Sequence, residues 1–201
     1  MRPLRAPWQR ALVVLGVCLV LMPPILALAG LRHDYSVLGP WVIWSFTVLQ
    51  LAAAYMLAAL ALRSVIPGRL MSTTVSAGLV CLAVAGQVLT SVLIFERSPV
   101  LVPPGQGLRL WAVCLAVTLV LGLLPAIAAF GLGLRGLPLR PRLFGLLCGL
   151  SAGLGAEAAW RLHCPFSDLA HIFSAHLGGI ASLGLLGFLV GSLWERKSAR
   201  S

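Results

Sequence analysis

The residues able to do chemistry gather in one short stretch, "AAWRLHCPFSDLAHIFSAHLGG", which carries His163, Cys164, Pro165, Asp168, His171 and His176. Thiolate with imidazole is a ligand set for Zn²⁺, Cu or Cd²⁺. A thiol beside His163 is also a candidate reactive thiol, since a neighbouring imidazole lowers its pKa. The spacing matches no standard zinc motif. The plain alternative is that interfacial histidines make hydrogen bonds and the cysteine is inert.

Local chain geometry limits these readings. Pro165 stops a helix from running on through Cys164. Ser167 or Asp168 can cap the helix that follows. His171 falls in the first turn of that helix, and His176 lies about 140° round from it on an α-helix. The two therefore do not clasp one ion as an i, i+4 pair would. On a continuous helix Cys164 and His171 would stand about 10 Å apart, so a shared site requires the loop to fold back.

The elements that position these residues are membrane spans. The chain has 201 residues, of which 60% are hydrophobic and 10% charged; its mean hydropathy is +1.00. A soluble domain carries about a quarter charged residues. A span needs roughly 20 apolar residues, and six stretches qualify: 11–31, 41–62, 73–95, 110–134, 143–160 and 171–194. The expected fold is all-α, a single six-helix transmembrane bundle over 1–201 whose medium is the lipid bilayer. The first stretch is too long for a signal-peptide core and reads as a retained helix.

A formal charge of +10 suggests nucleic acid, but the basic residues sit at span ends, where the positive-inside rule places them. Pieces 1–10, 63–72, 135–142 and 195–201 hold 11 of the 15 Arg and Lys, against 4 in 32–40, 96–109 and 161–170. The split predicts both termini in the cytoplasm and no direct nucleic-acid binding.

On this topology the five cysteines sort by depth. Cys18, Cys81 and Cys148 lie toward the reducing side and read as small apolar fillers. Cys114, one turn into the fourth span from the outer face, and Cys164 are placed toward the oxidising compartment. The sequence permits these two to meet without requiring it.

The remaining polar and small residues read as structural. Gly145, Gly149 and Gly153 share one helix face and let another backbone approach, as do Gly184, Gly187 and Gly191 in the last span. These are packing seams of one bundle, with a homodimer face as the alternative. Pro23, Pro24 and Pro125 should kink their helices. Gln50 and Gln87 are candidates for an interhelical hydrogen bond. An intramembrane acid is a functional candidate by default, but Glu157 has Arg161 at i+4 and reads as half of an interfacial ion pair.

The order of these features resembles the NrsF-type membrane anti-sigma factors, negative regulators of sigma F. "RPLRAPWQRAL" resembles their lead-in to the first span, and "GLRHDY" the Arg-x-Asp turn after it, at Arg32 and Asp34. "CLAVTLVLGLLP" resembles their fourth span, with Cys114, Leu115 and Pro125, and "LPLRPRLFGLLCGLSAGLGAEAAWRLHCP" the fifth segment. The family's His after the Cys-Pro turn falls on His176. The resemblance implies a non-enzymatic bacterial inner-membrane protein that holds an extracytoplasmic-function sigma factor on the cytoplasmic side. It also implies release when two periplasm-facing cysteines, by match Cys114 and Cys164, sense heavy metal or oxidant.

These are the same two cysteines that depth selects. A transiently bound Zn, Cd or Cu ion is the implied ligand, with Cys114, Cys164, His163, His171 and His176 as the candidate donors and no permanent cofactor. Arg63–Arg69 and Arg135–Arg142 supply the cytoplasmic loop surface, and the glycine seams and Pro125 are candidates to carry a packing shift inward. A ligand can shift packing only by binding one arrangement better than the other. A membrane thiol oxidoreductase is the first alternative, opposed by the missing CxxC pair. A small transporter subunit is the second, opposed by the lack of mid-membrane charges.

Overall fold

The computed structural model describes residues 6–66, 68, 72–136 and 138–198. Arg2, Arg5, Arg69 and Arg200 of the predicted cytoplasmic charge lie outside the described residues. The described chain is helical with no strand, in the order α1 (Pro7–Ala29), α2 (Tyr35–Leu38), α3 (Pro40–Arg63), α4 (Thr73–Arg97), α5 (Gly107–Gly133), α6 (Pro141–Trp160), α7 (Leu169–His171), a π-helical turn (Ile172–Leu177) and α8 (Gly178–Ser198). Among the described residues, six helices are long and apolar enough to cross a membrane, the sixth running from Leu169 to Lys197.

The spans begin two to four residues before most of the expected starts. Proline at the first helical position explains two of them, Pro7 and Pro141, and also opens α3 at Pro40, one residue early; proline needs no hydrogen-bond partner there and its φ suits a helix. Gly30 and Gly39, both at φ 79°, bound the short α2 turn. Pro23, Pro24 and Pro125 are carried inside unbroken helices.

α6 is the hub. Its composition of Gly, Ala and small residues lets neighbours approach from every side, and it is buried almost throughout from Phe144 to Trp160. It packs on α3, α5, α1 and most closely on α8. A Cβ on Gly145 would meet Gly187 O at 2.0 Å, and one on Gly149 would meet Leu183 O at 2.0 Å. A Cβ on Gly191 would meet Pro141 O at 2.2 Å. Both glycine faces are thus spent on each other within the chain. Without a hydrophobic drive in lipid, such close backbone packing is what holds helices together. α4 leans on α3 through the Gln50–Gln87 side-chain hydrogen bond beside an apolar cavity of about 370 Å³.

The two ends of the bundle are tied differently. At the end bearing the termini, Arg10 donates to Leu132 O and Arg142 pairs with Glu195. Phe144 packs edge-on to Phe130 and Trp194, with centroids 5.5 and 6.3 Å apart. At the opposite end three connectors lock together. Arg32 donates to both carboxylate oxygens of Asp34 at 2.6 and 2.8 Å and to Pro165 O at 3.0 Å. The Arg32 amide donates to Leu162 O at 2.9 Å, and the Ser98 hydroxyl to Asp34 Oδ2 at 2.9 Å. Ser167 donates to Ser98 O at 2.6 Å and accepts from the Val100 amide at 2.8 Å. The turn holding Cys164 is therefore pinned from both sides.

Arg32 and Asp34 are buried. Burial pushes the Asp34 carboxyl up, but the hydrogen bonds and charge of Arg32, with the Ser98 hydroxyl, bring it net below its ordinary value. The ionised clamp is therefore at full strength at neutral pH. Its contribution begins to fall only near the ordinary Asp value of about 3.9 and is lost as pH drops through the lower folded value. Breaking a buried pair by removing one partner costs about 3–5 kcal/mol. Arg32→Ala is accordingly expected to lower the melting temperature and raise maleimide reactivity of Cys164 at pH 7. Unchanged Cys164 reactivity would show that the clamp does not hold the turn.

Candidate metal and thiol site

Three segments deliver four ligand atoms to one point. α5 carries Cys114 one to two turns from its start, the pinned turn carries Cys164, and the start of the last span carries His171 and His176. Their donor atoms all lie within 4.8 Å of one another, and all four residues are buried. Cys114 Sγ and Cys164 Sγ are 3.7 Å apart. Cys164 Sγ lies 3.5 Å from His176 Nε2 and 3.9 Å from His171 Nε2.

The π turn makes this possible and corrects the expected separation of the two histidines. It closes hydrogen bonds from i to i+5, so residues five apart return to one face. His171 and His176 stack edge to face with centroids 5.1 Å apart, not 140° round the helix from each other. The fold-back that a shared site requires is supplied by Pro165 and by Asp168, which caps the helix by accepting from the Ala170 amide at 3.2 Å.

His163 is not brought into this group. Its Nδ1 lies 3.1 Å from Gly30 O and its ring stacks on Trp160 at 4.7 Å. It ties the Cys164 turn to the end of α1. Cys18 and Cys148 are buried among apolar neighbours, while Cys81 faces outward.

Glu157 overturns the expected ion pair with Arg161. The α6 helix ends at Trp160, so Arg161 is its C-cap, and the Arg161 side chain turns to Ser91 Oγ at 3.4 Å. Glu157 is fully buried and accepts from His176 Nδ1 at 2.7 Å. A proton held on Nδ1 leaves the Nε2 lone pair facing the sulfurs. The signal for Glu157 was present as an acid inside a span; the helical i+4 rule pointed it at the wrong partner.

The surroundings are polar and incompletely satisfied. Glu157 Oε1, Trp160 Nε1 and Arg161 Nε and Nη1 find no hydrogen-bond partner among the described residues. Each such buried group costs about 1–3 kcal/mol, a cost that concentrates at functional sites. The adjacent Cys114 sulfur and burial hold the Cys164 thiol well above its ordinary value. Burial lowers Arg161, against the opposing charges of Glu157 and Cys164. The arrangement can bind a soft or borderline metal, or close a disulfide.

No curated protein and no solved structure matches the chain. A family model does match, over residues 1–196, and the chain belongs to that family, NrsF, negative regulator of sigma F.

Proposed function

We propose that this anti-sigma factor is a bacterial inner-membrane protein that holds an extracytoplasmic-function sigma factor at the bundle end bearing the termini. The Cys114–Cys164 pair at the opposite end faces the periplasm and releases the sigma factor when heavy metal or oxidant reaches it. The single observation that carries this reading is the 3.7 Å separation of the two sulfurs, in a chain of a sigma-regulating family. Basic residues support the orientation. Arg63, Arg135, Arg140, Arg142, Arg196 and Lys197 gather near the termini, and Arg32, Arg97, Arg109 and Arg161 at the other end. The last span supplies a physical link, since it holds His171 and His176 at one end and Glu195, paired with Arg142, at the other.

The test combines topology with release. Ser36→Cys and Arg135→Cys place exposed thiols at opposite ends. With a membrane-impermeant maleimide on intact cells, Ser36→Cys is expected to label and Arg135→Cys to label only in inverted vesicles. The sigma factor is expected to co-purify with the full chain and to leave it after cadmium or peroxide. The reverse labelling pattern, or a sigma factor that never co-purifies, would overturn the reading.

A further inference from the structure

We propose that Cys114, Cys164, His171 and His176 hold a resident Zn²⁺ in a closed tetrahedral site backed by Glu157, and that losing or exchanging this ion registers both oxidants and softer metals. The inference rests on the sensor reading above and adds the resting ligand and its outer partner.

The spacing fits the ion. Zn–S bonds of about 2.3 Å and Zn–N bonds of about 2.0–2.1 Å at tetrahedral angles put two sulfurs about 3.8 Å apart and S from N about 3.6 Å. The observed separations are 3.7 Å between sulfurs and 3.5 and 3.9 Å from Cys164 to the two Nε2 atoms. All four donor atoms lie within 4.8 Å of one another, so a central zinc ion requires the widest pairs to draw in by about 1 Å.

The second shell fits as well. A zinc-bound His almost always donates its other N–H to a carboxylate or carbonyl. His176 does so to Glu157 at 2.7 Å, with both groups fully buried. Four protein ligands with no open position mark a structural rather than a catalytic zinc site. The four ligands come from α5, the pinned turn and the last span, so an ion there cross-links all three.

Charge selects a divalent ion. A buried ion needs its charge cancelled. Two thiolates neutralise Zn²⁺, and the buried Glu157 carboxylate is offset by the neighbouring buried Arg161 guanidinium. A monovalent Cu(I) leaves one buried negative charge over. Cd²⁺ keeps the balance but is larger and softer, so it exchanges for zinc with the cage expanded.

Oxidation removes the ion by a different route. One sulfur attacks a peroxide oxygen and becomes a sulfenic acid as hydroxide leaves; the second sulfur displaces the sulfenic hydroxyl and an S–S bond forms. Two electrons pass from the sulfurs to peroxide, which with two protons from solvent leaves as two waters. The sulfurs close from 3.7 Å to about 2 Å, and zinc, stripped of both anionic ligands, departs.

The experiment uses the full-length chain purified in detergent without chelator. Zinc content is measured first; Co²⁺ is then exchanged in and its absorption recorded. About one zinc per chain is expected, as is a cobalt spectrum of tetrahedral, thiolate-bound type. Peroxide should release the zinc together with loss of two titratable thiols. His163→Ala should keep the metal and Cys164→Ser should lose it. Glu157→Gln should keep the tetrahedral spectrum with affinity about 10–100-fold weaker. A folded wild-type chain with Cys114 and Cys164 both reduced, no zinc and no tetrahedral cobalt spectrum would overturn the inference and leave the dithiol sensor standing. Zinc bound as expected, but with sigma binding indifferent to its removal, would instead defeat the sensor reading.

Discussion

Replacing Cys114 and Cys164 together with serine is expected to abolish any change in sigma-factor release on addition of cadmium or peroxide. Allosteric coupling of about 1–3 kcal/mol gives about 5–150-fold responses, and the whole of that response depends here on two sulfurs acting together. A disulfide or a four-ligand site is lost when either sulfur is removed. Each single substitution should therefore abolish induction as fully as the pair does, the non-additivity expected of groups in direct contact. His163→Ala is the control: its ring touches Trp160 and Gly30 and not the sulfurs, so induction should persist. The measurement is a sigma-dependent reporter, read beside the amount of the chain in the membrane. Full induction in the double variant would remove the cysteines from the mechanism.

Gly149→Leu is expected to act in the opposite direction, giving sigma activity without any signal. A Cβ there would sit 2.0 Å from Leu183 O and 2.7 Å from its carbonyl carbon. Those are backbone atoms, so no rotamer change relieves the clash, and the cost exceeds the roughly 1–3 kcal/mol of ordinary overpacking. α6 and α8 must separate, and the terminal end where Arg142 meets Glu195 separates with them. Gly149→Ala should show the same defect in milder form. Gly78→Ala and Gly131→Ala, where a new Cβ meets nothing within 4 Å, should be neutral. Constitutive reporter activity, with reduced thermal stability of the purified chain, is the expected pair of readouts. Wild-type stability of Gly149→Leu would show that the seam carries no tight contact.

The features written in strong contrasts were legible from sequence. Apolar runs broken by basic and proline-containing connectors located six spans, and the four-residue spacing of glycines located the α6–α8 seam. Depth and the family resemblance selected Cys114 and Cys164, whose sulfurs lie in contact. The site's finer geometry was hidden because periodicity needs contrast. The stretch from Ile172 to Leu177 is apolar on nearly every side, so nothing in it betrays the residue that the π turn inserts. Without that turn, His171 and His176 fall on different faces. Glu157 was misdirected for a related reason. The i+4 geometry holds, since the Arg161 amide bonds Glu157 O at 2.8 Å, but the rule sees only one helix, and the Glu157 carboxylate is taken by His176 of the last span. The Arg32–Asp34 motif was visible, but its role was not, because the Leu162 and Pro165 carbonyls that it grips lie 130 or more residues away.

The most direct test of the central claim titrates a thiol oxidant against cells carrying the full-length chain. Samples are quenched in acid, and two fractions are measured at each dose: chains with a Cys114–Cys164 disulfide, and sigma factor free of the membrane. The expected result is that the two fractions rise together and reach completion together. A complete disulfide with the sigma factor still bound, or release while both thiols remain reduced, would contradict the claim that this pair controls the sigma factor.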